Sequence, residues 1–364
     1  MRVEHPSSAL HISGITLPDG ERRDLWVDSG RITYDKVPGA RTVAKDCWVL
    51  PGLVDAHCHI GLGPQGAVDT ETTLGQARAD LASGVMLVRD AGSPADTRWV
   101  QASADLPRLV RAGRHIARFK RYIRNLPVEV EPDDLVDEVR RQARAGNGWV
   151  KLVGDWIDRD TGDLEPLWPA DVAAEAVQAA HQEGARVTAH CFGEQSVAEL
   201  VAAGIDCIEH GTGLVPEVID EMARRGTALV PTMINLALFP AYAEPAKDKF
   251  PTYYRHMHHL HEKRYEVLGS AREAGVRMYC GTDAGTVVEH GRVHDEIDEL
   301  AGLGGAEFAV GAASWRAREW LGADALGEGA SADLIVTGQD PRTSVDALRS
   351  PSLMLLRGRR IVGE

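Results

Sequence analysis

Two hydrophobic patterns divide the chain. In its middle, short and nearly continuous apolar runs recur, each closed by glycine or a polar residue and followed by helical spacing. The runs are the segment ending at His57, VMLVRDAG from Val85, RLVRAG from Arg108, WVKLVG from Trp149, RVTAHC from Arg186, CIEHG from Cys207, ALVPTM from Ala228 and RMYCGTDAG from Arg277, eight in all. Such runs suit strands buried on both faces. PADVAAEAVQAAHQEG and EVIDEMARRG carry an apolar stripe and a glycine stop, the marks of amphipathic helices. Strands alternating with helices predict a parallel sheet, and eight such units predict an α/β fold of the closed (β/α)8 TIM-barrel type. A doubly wound open sheet fits less well, because no glycine-rich phosphate loop follows the first run.

The two ends read differently. DLWVDSGRITY alternates and carries Asp-Ser-Gly as a turn signal, and ADLIVTGQDP and SLMLLRGRRIVGE return to short strand-like runs. Residues 1–50 plus 326–364 are therefore expected to form a small β-sandwich domain, beside a barrel domain at 51–325.

Composition narrows the function classes. With 364 residues, 44% of them hydrophobic, the chain can bury a large core. A formal net charge of -14 argues against a nucleic-acid partner. Neither a leader-like N-terminus nor a membrane-length apolar stretch stands out, so a cytoplasmic protein is expected. The five cysteines are scattered without a CxxC, which is no disulfide framework. Cys58 and Cys191, each beside a histidine, are expected to face away from that histidine's site, because side chains alternate along a strand. A homo-oligomer is left open.

The candidate chemistry lies at the ends of the runs. His57 and His59, two apart, share one face and can grip one ion. His190 closes the fifth run, His210 the sixth and Asp283 the eighth, while Lys151 lies within the fourth. Strand C-terminal ends converge on one rim of a barrel, where catalytic groups sit.

PGLVDAHCHI, VKLVG, VTAHCFG, IEHGT and GTDAG, with the closing GEGASADLIVTGQDP, resemble the metal-dependent amidohydrolase superfamily over nearly the whole chain. The likeness is greatest to the branch of Xaa-Pro dipeptidase-like (prolidase-like) and imidazolonepropionase-like enzymes. It implies a metal-dependent hydrolase cleaving an amide-type C–N bond in an N-acyl amino acid, a dipeptide or a cyclic amide. Lys151 matches the binuclear members, in which that lysine is carboxylated and bridges two divalent metal ions. The resemblance assigns His57, His59 and Asp283 to the more buried metal and His190 and His210 to the more exposed one. Asp283 would also be the catalytic acid/base. Zinc is the metal this ligand set suits best, with manganese, cobalt or iron compatible. Burial disfavours an ammonium, and a neutral lysine amine can add carbon dioxide to become an anionic ligand. A mononuclear deaminase or imidazolonepropionase-like hydrolase, a lactonase or phosphoester hydrolase, and an inactive scaffold barrel are the alternatives.

Substrate residues are expected after the third run, in RLVRAGRHIARFKRYIR. Arginine recognises carboxylates in bidentate fashion, so Arg114 and Arg118 are candidates for a small-molecule substrate bearing one. His115 and Tyr122 join them, as does His290, which matches the histidine of a Pro-His-Gly element although Glu289 replaces the proline. HMHHLHEKRY, with His256, His258, His259 and His261, is expected to be a helix whose histidines lie at the surface or on a lid.

Overall fold

The computed structural model describes residues 2–4 and 9–362, so residues 1, 5–8, 363 and 364 of the two terminal segments lie outside the described residues. Seven of the eight apolar runs are parallel strands. They are β1 (Leu53–Cys58), β2 (Val85–Asp90), β3 (Arg108–Arg111), β4 (Trp149–Val153), β5 (Arg186–Cys191), β6 (Cys207–His210) and β7 (Ala228–Val230). β1, β2 and β3 form one parallel sheet, and β4 to β7 lie in sequence order in another. Every residue of β1, β2, β4, β6 and β7 is buried, as continuous apolar runs require.

The eighth run differs from the expected strand. Residues 277–284 make only isolated bridges, Leu229 with Met278 and Cys58 with Ala284. Their backbone bonds alternate between two neighbours: Tyr279 N–H donates to Leu229 O, whereas Ala56 N–H donates to Cys280 O. This segment thus links the β7 side of one sheet to the β1 side of the other. Gly281 makes the approach feasible, since a Cβ there would lie 2.7 Å from the His57 backbone nitrogen.

Helices cover the strands. Ala170–Gln182 buries Ala173, Ala176, Val177 and Ala180, the predicted stripe. Pro216–Arg225 starts on proline and stops at Gly226, whose φ of 75° suits the left-handed cap. Val54, Leu87, Trp149, Ala228, Val230 and Tyr279 from these segments pack into a core of their own.

The described strands of the two terminal segments pair with one another in one eight-stranded sheet. Leu10–Thr16 alternates strictly between buried and half-buried, the period of a strand with one face on a core. The Asp-Ser-Gly signal is a hairpin turn, with Ser29 at φ 50° and Gly30 at φ 81°. Asp333, 2% exposed, fastens this sheet to the parallel one by accepting from Arg108 Nε at 3.0 Å. No helix among the described residues is long and apolar enough to cross a membrane.

Candidate metal centre

His57 is the penultimate residue of β1, and His59 follows the strand. His59 Nδ1 lies 2.6 Å from Gly92 O, and a carbonyl only accepts, so the proton is on Nδ1 and the Nε2 lone pair faces inward. His57 Nδ1 lies 2.7 Å from Glu209 Oε2. Burial pushes the Glu209 carboxyl up, but Arg89, His57 and Lys151 together hold it well below the usual carboxylate range. An ionised Glu209 accepts from Nδ1 and turns His57 Nε2 inward as well. The two Nε2 atoms stand 3.3 Å apart, each with Asp283 Oδ1 within reach at 3.1 and 3.2 Å. Two lone pairs and a carboxylate oxygen converging on one point suit a cation.

On the adjoining strands, His190 ends near β5's last residue and His210 closes β6. His210 Nδ1 lies 2.7 Å from Thr232 Oγ1, and His190 Nδ1 lies 3.0 Å from His210 Nε2. His210 Nε2 is 4.0 Å from Asp283 Oδ2, whereas His190 Nε2 lies 3.7 Å from Asp155 Oδ1. Lys151, 3% exposed, points its Nζ into this space. Among the described residues, Lys151 Nζ is buried with no hydrogen-bond partner. Burial drives the Lys151 pKa down, though Glu209 and Asp283 oppose the shift. Orphaned ligand-type atoms are costly unless something binds them, so the donor set fits a metal group.

The backbone is bent to serve this site. His210, Thr232 and Asp283 adopt φ of 68°, 51° and 58°, a conformation that costs non-glycine residues about 1–2 kcal/mol each. At His210 it also breaks the alternation of the strand, so Glu209 and His210 both serve the interior.

Sequence reasoning did not find the supporting residues. Glu209 receives Arg89 Nη2 at 2.6 Å as well as Thr188 Oγ1, and Arg89 stacks on Trp149. Asn235 donates to Asp283 Oδ2 at 2.7 Å and accepts from the Tyr242 hydroxyl at 2.6 Å. Asp155 receives the Phe192 and Gly193 amides and Ser196, and burial pushes it up to about 6. Glu209 stood one residue from His210 and was legible as a neighbour. Nothing in the local sequence joins Asn235 to Asp283.

The side chains of His57, His59, Lys151, His190, His210 and Asp283 line one end of a cavity of about 430 Å³. His115 and Tyr122 line it. Both His115 ring nitrogens are buried without a partner, and burial keeps that imidazole well below its ordinary pKa. The other three substrate candidates lie elsewhere. Arg114 is spent on the carbonyls of Leu126 and Asn125, and Arg118 pairs with Glu131 at 3.6 Å. His290 is buried behind β1, with Nδ1 2.8 Å from Asp80 Oδ2. A fold-back of the loop turns the arginines outward, which a linear reading of the basic run did not reveal. Cys58 and Cys191 are fully buried in apolar clusters outside the cavity, facing away as expected. The histidine-rich tract lies in the helix Pro251–Glu273, where His256 bridges Asp163 and Glu194.

A larger crevice of about 770 Å³, lined by Arg108, Arg318 and Asp333 among others, contains none of the ligand-type histidines.

The family model for the amidohydrolase family matches residues 48–356, and the chain belongs to that family. An uncharacterized protein of Mycobacterium tuberculosis is 52% identical over 352 residues, covering 96% of this chain and 95% of that one. Among solved structures, a Xaa-Pro dipeptidase with methionine bound in its active site superposes with a TM-score of 0.81 at 22% identity, over 98% of this chain and 100% of that one. A protein described as an amidohydrolase gives a TM-score of 0.82 at 23% identity, over 98% and 100%. The fold is that of the Xaa-Pro dipeptidase-like amidohydrolases.

Proposed function

We propose that the protein is a metal-dependent hydrolase that cleaves an amide-type C–N bond, with two divalent ions, zinc by preference, held by His57, His59, Lys151, His190, His210 and Asp283. The observation that carries this reading is the gathering of these six side chains around one cavity, with Lys151 Nζ buried and unpartnered among the described residues. In the same reading residues 51–325 form a (β/α)8 barrel, and residues 1–50 plus 326–364 a β-sandwich beside it.

Within this site Lys151 has a role only as a neutral amine. Addition of carbon dioxide to that amine, with loss of a proton, would give a carbamate, an anionic ligand. When bound, the ions lower the pKa of water and polarise a carbonyl. Asp283 takes a proton from the attacking water and returns it to the leaving nitrogen. Asn235 fixes its Oδ2, leaving Oδ1 toward His57 and His59. His115 and Tyr122 offer polar contacts above the floor.

The test is metal analysis together with an amide library. About two ions per chain and hydrolysis abolished by Asp283→Asn are expected. One ion per chain with full activity would favour a mononuclear deaminase-like enzyme instead. Hydrolysis confined to lactones or phosphoesters would replace the amide assignment.

A further inference from the structure

The walls of the cavity, unlike its floor, are apolar. Tyr122, Trp156, Phe192, Tyr242 and Tyr253 surround the space above the ligands. At the mouth stand Ile123 and Val287, 38% and 58% exposed, two of the few large hydrophobic side chains left in solvent. Among the described residues no arginine lines the cavity, and the single lysine lining it is Lys151 on the floor. The basic loop does not supply a cation either. Arg114 is held by backbone carbonyls, Arg118 by Glu131, and Arg121 by Asp158 at 2.7 Å. Arg124 is exposed and does not line the space.

A carboxylate held against the aromatic walls, away from the floor, would lose its water and gain no fixed cation from them. Burying a charge without a partner is strongly unfavourable, whereas apolar and aromatic groups gain by burial. The polar atoms above the floor are neutral: the Tyr122 hydroxyl and the imidazole of His115 suit a carbonyl or an N–H.

Resting on the hydrolase reading above and narrowing it, we infer that the substrate is an electrically neutral aryl or alkyl amide whose apolar part fills the Tyr122–Trp156–Phe192 wall, not a compound with a free carboxylate.

Two matched pairs test this on the zinc-loaded protein. The first pair is 4-methylacetanilide and 4-acetamidobenzoate, compared by kcat/KM. The second is their carbon isosteres, 4-methylphenylacetone and 4-carboxyphenylacetone, which cannot be hydrolysed at that bond and are compared by calorimetric Kd. The neutral member is expected to win by at least about tenfold in both, equal to about 1.4 kcal/mol. Equal or tighter binding of the carboxylate would overturn the inference, as would failure of the neutral ketone to bind at millimolar concentration. If neither anilide is hydrolysed, the hydrolase reading fails while the ketone pair still decides the charge preference. Val287→Arg should shift the ketone preference at least about threefold toward the carboxylate, and Arg124→Ala should leave it unchanged. A preference unmoved by Val287→Arg, or abolished by Arg124→Ala, would count against the wall as the selecting element.

Discussion

Replacing Glu209 by glutamine separates two duties that one carboxylate performs. Arg89 and Glu209 are both fully buried, with Arg89 Nη2 2.6 Å from Oε1 and Arg89 Nε bonded to Ala56 O. Unit charges about 4 Å apart attract by about 4 kcal/mol at an effective dielectric of about 20. Glu209→Gln removes that attraction and strands a guanidinium in the core, so a loss of about 3–5 kcal/mol of stability is expected. The second duty is holding His57 in the tautomer that turns Nε2 inward. A neutral amide oxygen does this more weakly, and metal affinity should fall about 10–100-fold. Glu209→Gln combined with Arg89→Met removes the stranded cation and should regain at least about 2 kcal/mol, while metal affinity stays low. Urea unfolding of the metal-free variants gives the first quantity, and competition with a chromophoric chelator the second. A Glu209→Gln variant within about 1 kcal/mol of wild type would refute the stability argument. A double variant with restored metal affinity would refute the tautomer argument.

Lys151→Met keeps bulk but cannot form a carbamate. Metal content by mass spectrometry should fall by about one ion per chain or more, with hydrolysis lost, and full retention of both would remove Lys151 from the bridge. Asn235→Ala frees Asp283 Oδ2, so kcat should fall about tenfold with KM little changed, whereas an unchanged kcat would deny Asn235 its positioning role. His256 is held up to about 9 by the Glu194 and Asp163 carboxylates despite partial burial. Its stabilising charge is complete below its ordinary pKa of about 6.5 and is lost as pH rises through about 9. Wild type should therefore lose about 1–2 kcal/mol more than His256→Gln between those values, after allowance for solvent screening, and parallel melting profiles would contradict it. Gly285 has φ 130° and a Cβ there would lie 2.7 Å from His59 O, so Gly285→Ala should cost about 2 kcal/mol or more and weaken metal binding together. Thermal melts with and without zinc check both effects.

The sequence by itself determined the rhythm of buried runs and helices, because burial on both faces demands continuous apolar strands. It also marked the ligand-type residues, since a group needed at a strand's end must stand at the end of an apolar run. His57, His190, His210 and Asp283 stand at such ends and Lys151 within a run, which is why they are candidates from sequence, and the family model spans the motifs that contain them. Only the tertiary structure decided what surrounds them. Asn235 meets Asp283 across 48 residues of chain, and Arg89 meets Glu209 across 120, distances over which no local periodicity carries information. The eighth run was read as a strand, yet it bridges both neighbours without becoming one, because Gly281 lets it press against His57. The basic loop is the sharpest case. Its composition pointed to carboxylate recognition, but the fold spends Arg114, Arg118 and Arg121 on carbonyls and carboxylates of its own and leaves His115, Tyr122 and Ile123 to face the cavity. Charge is read from residue type, whereas the direction of a side chain is set by the backbone that carries it.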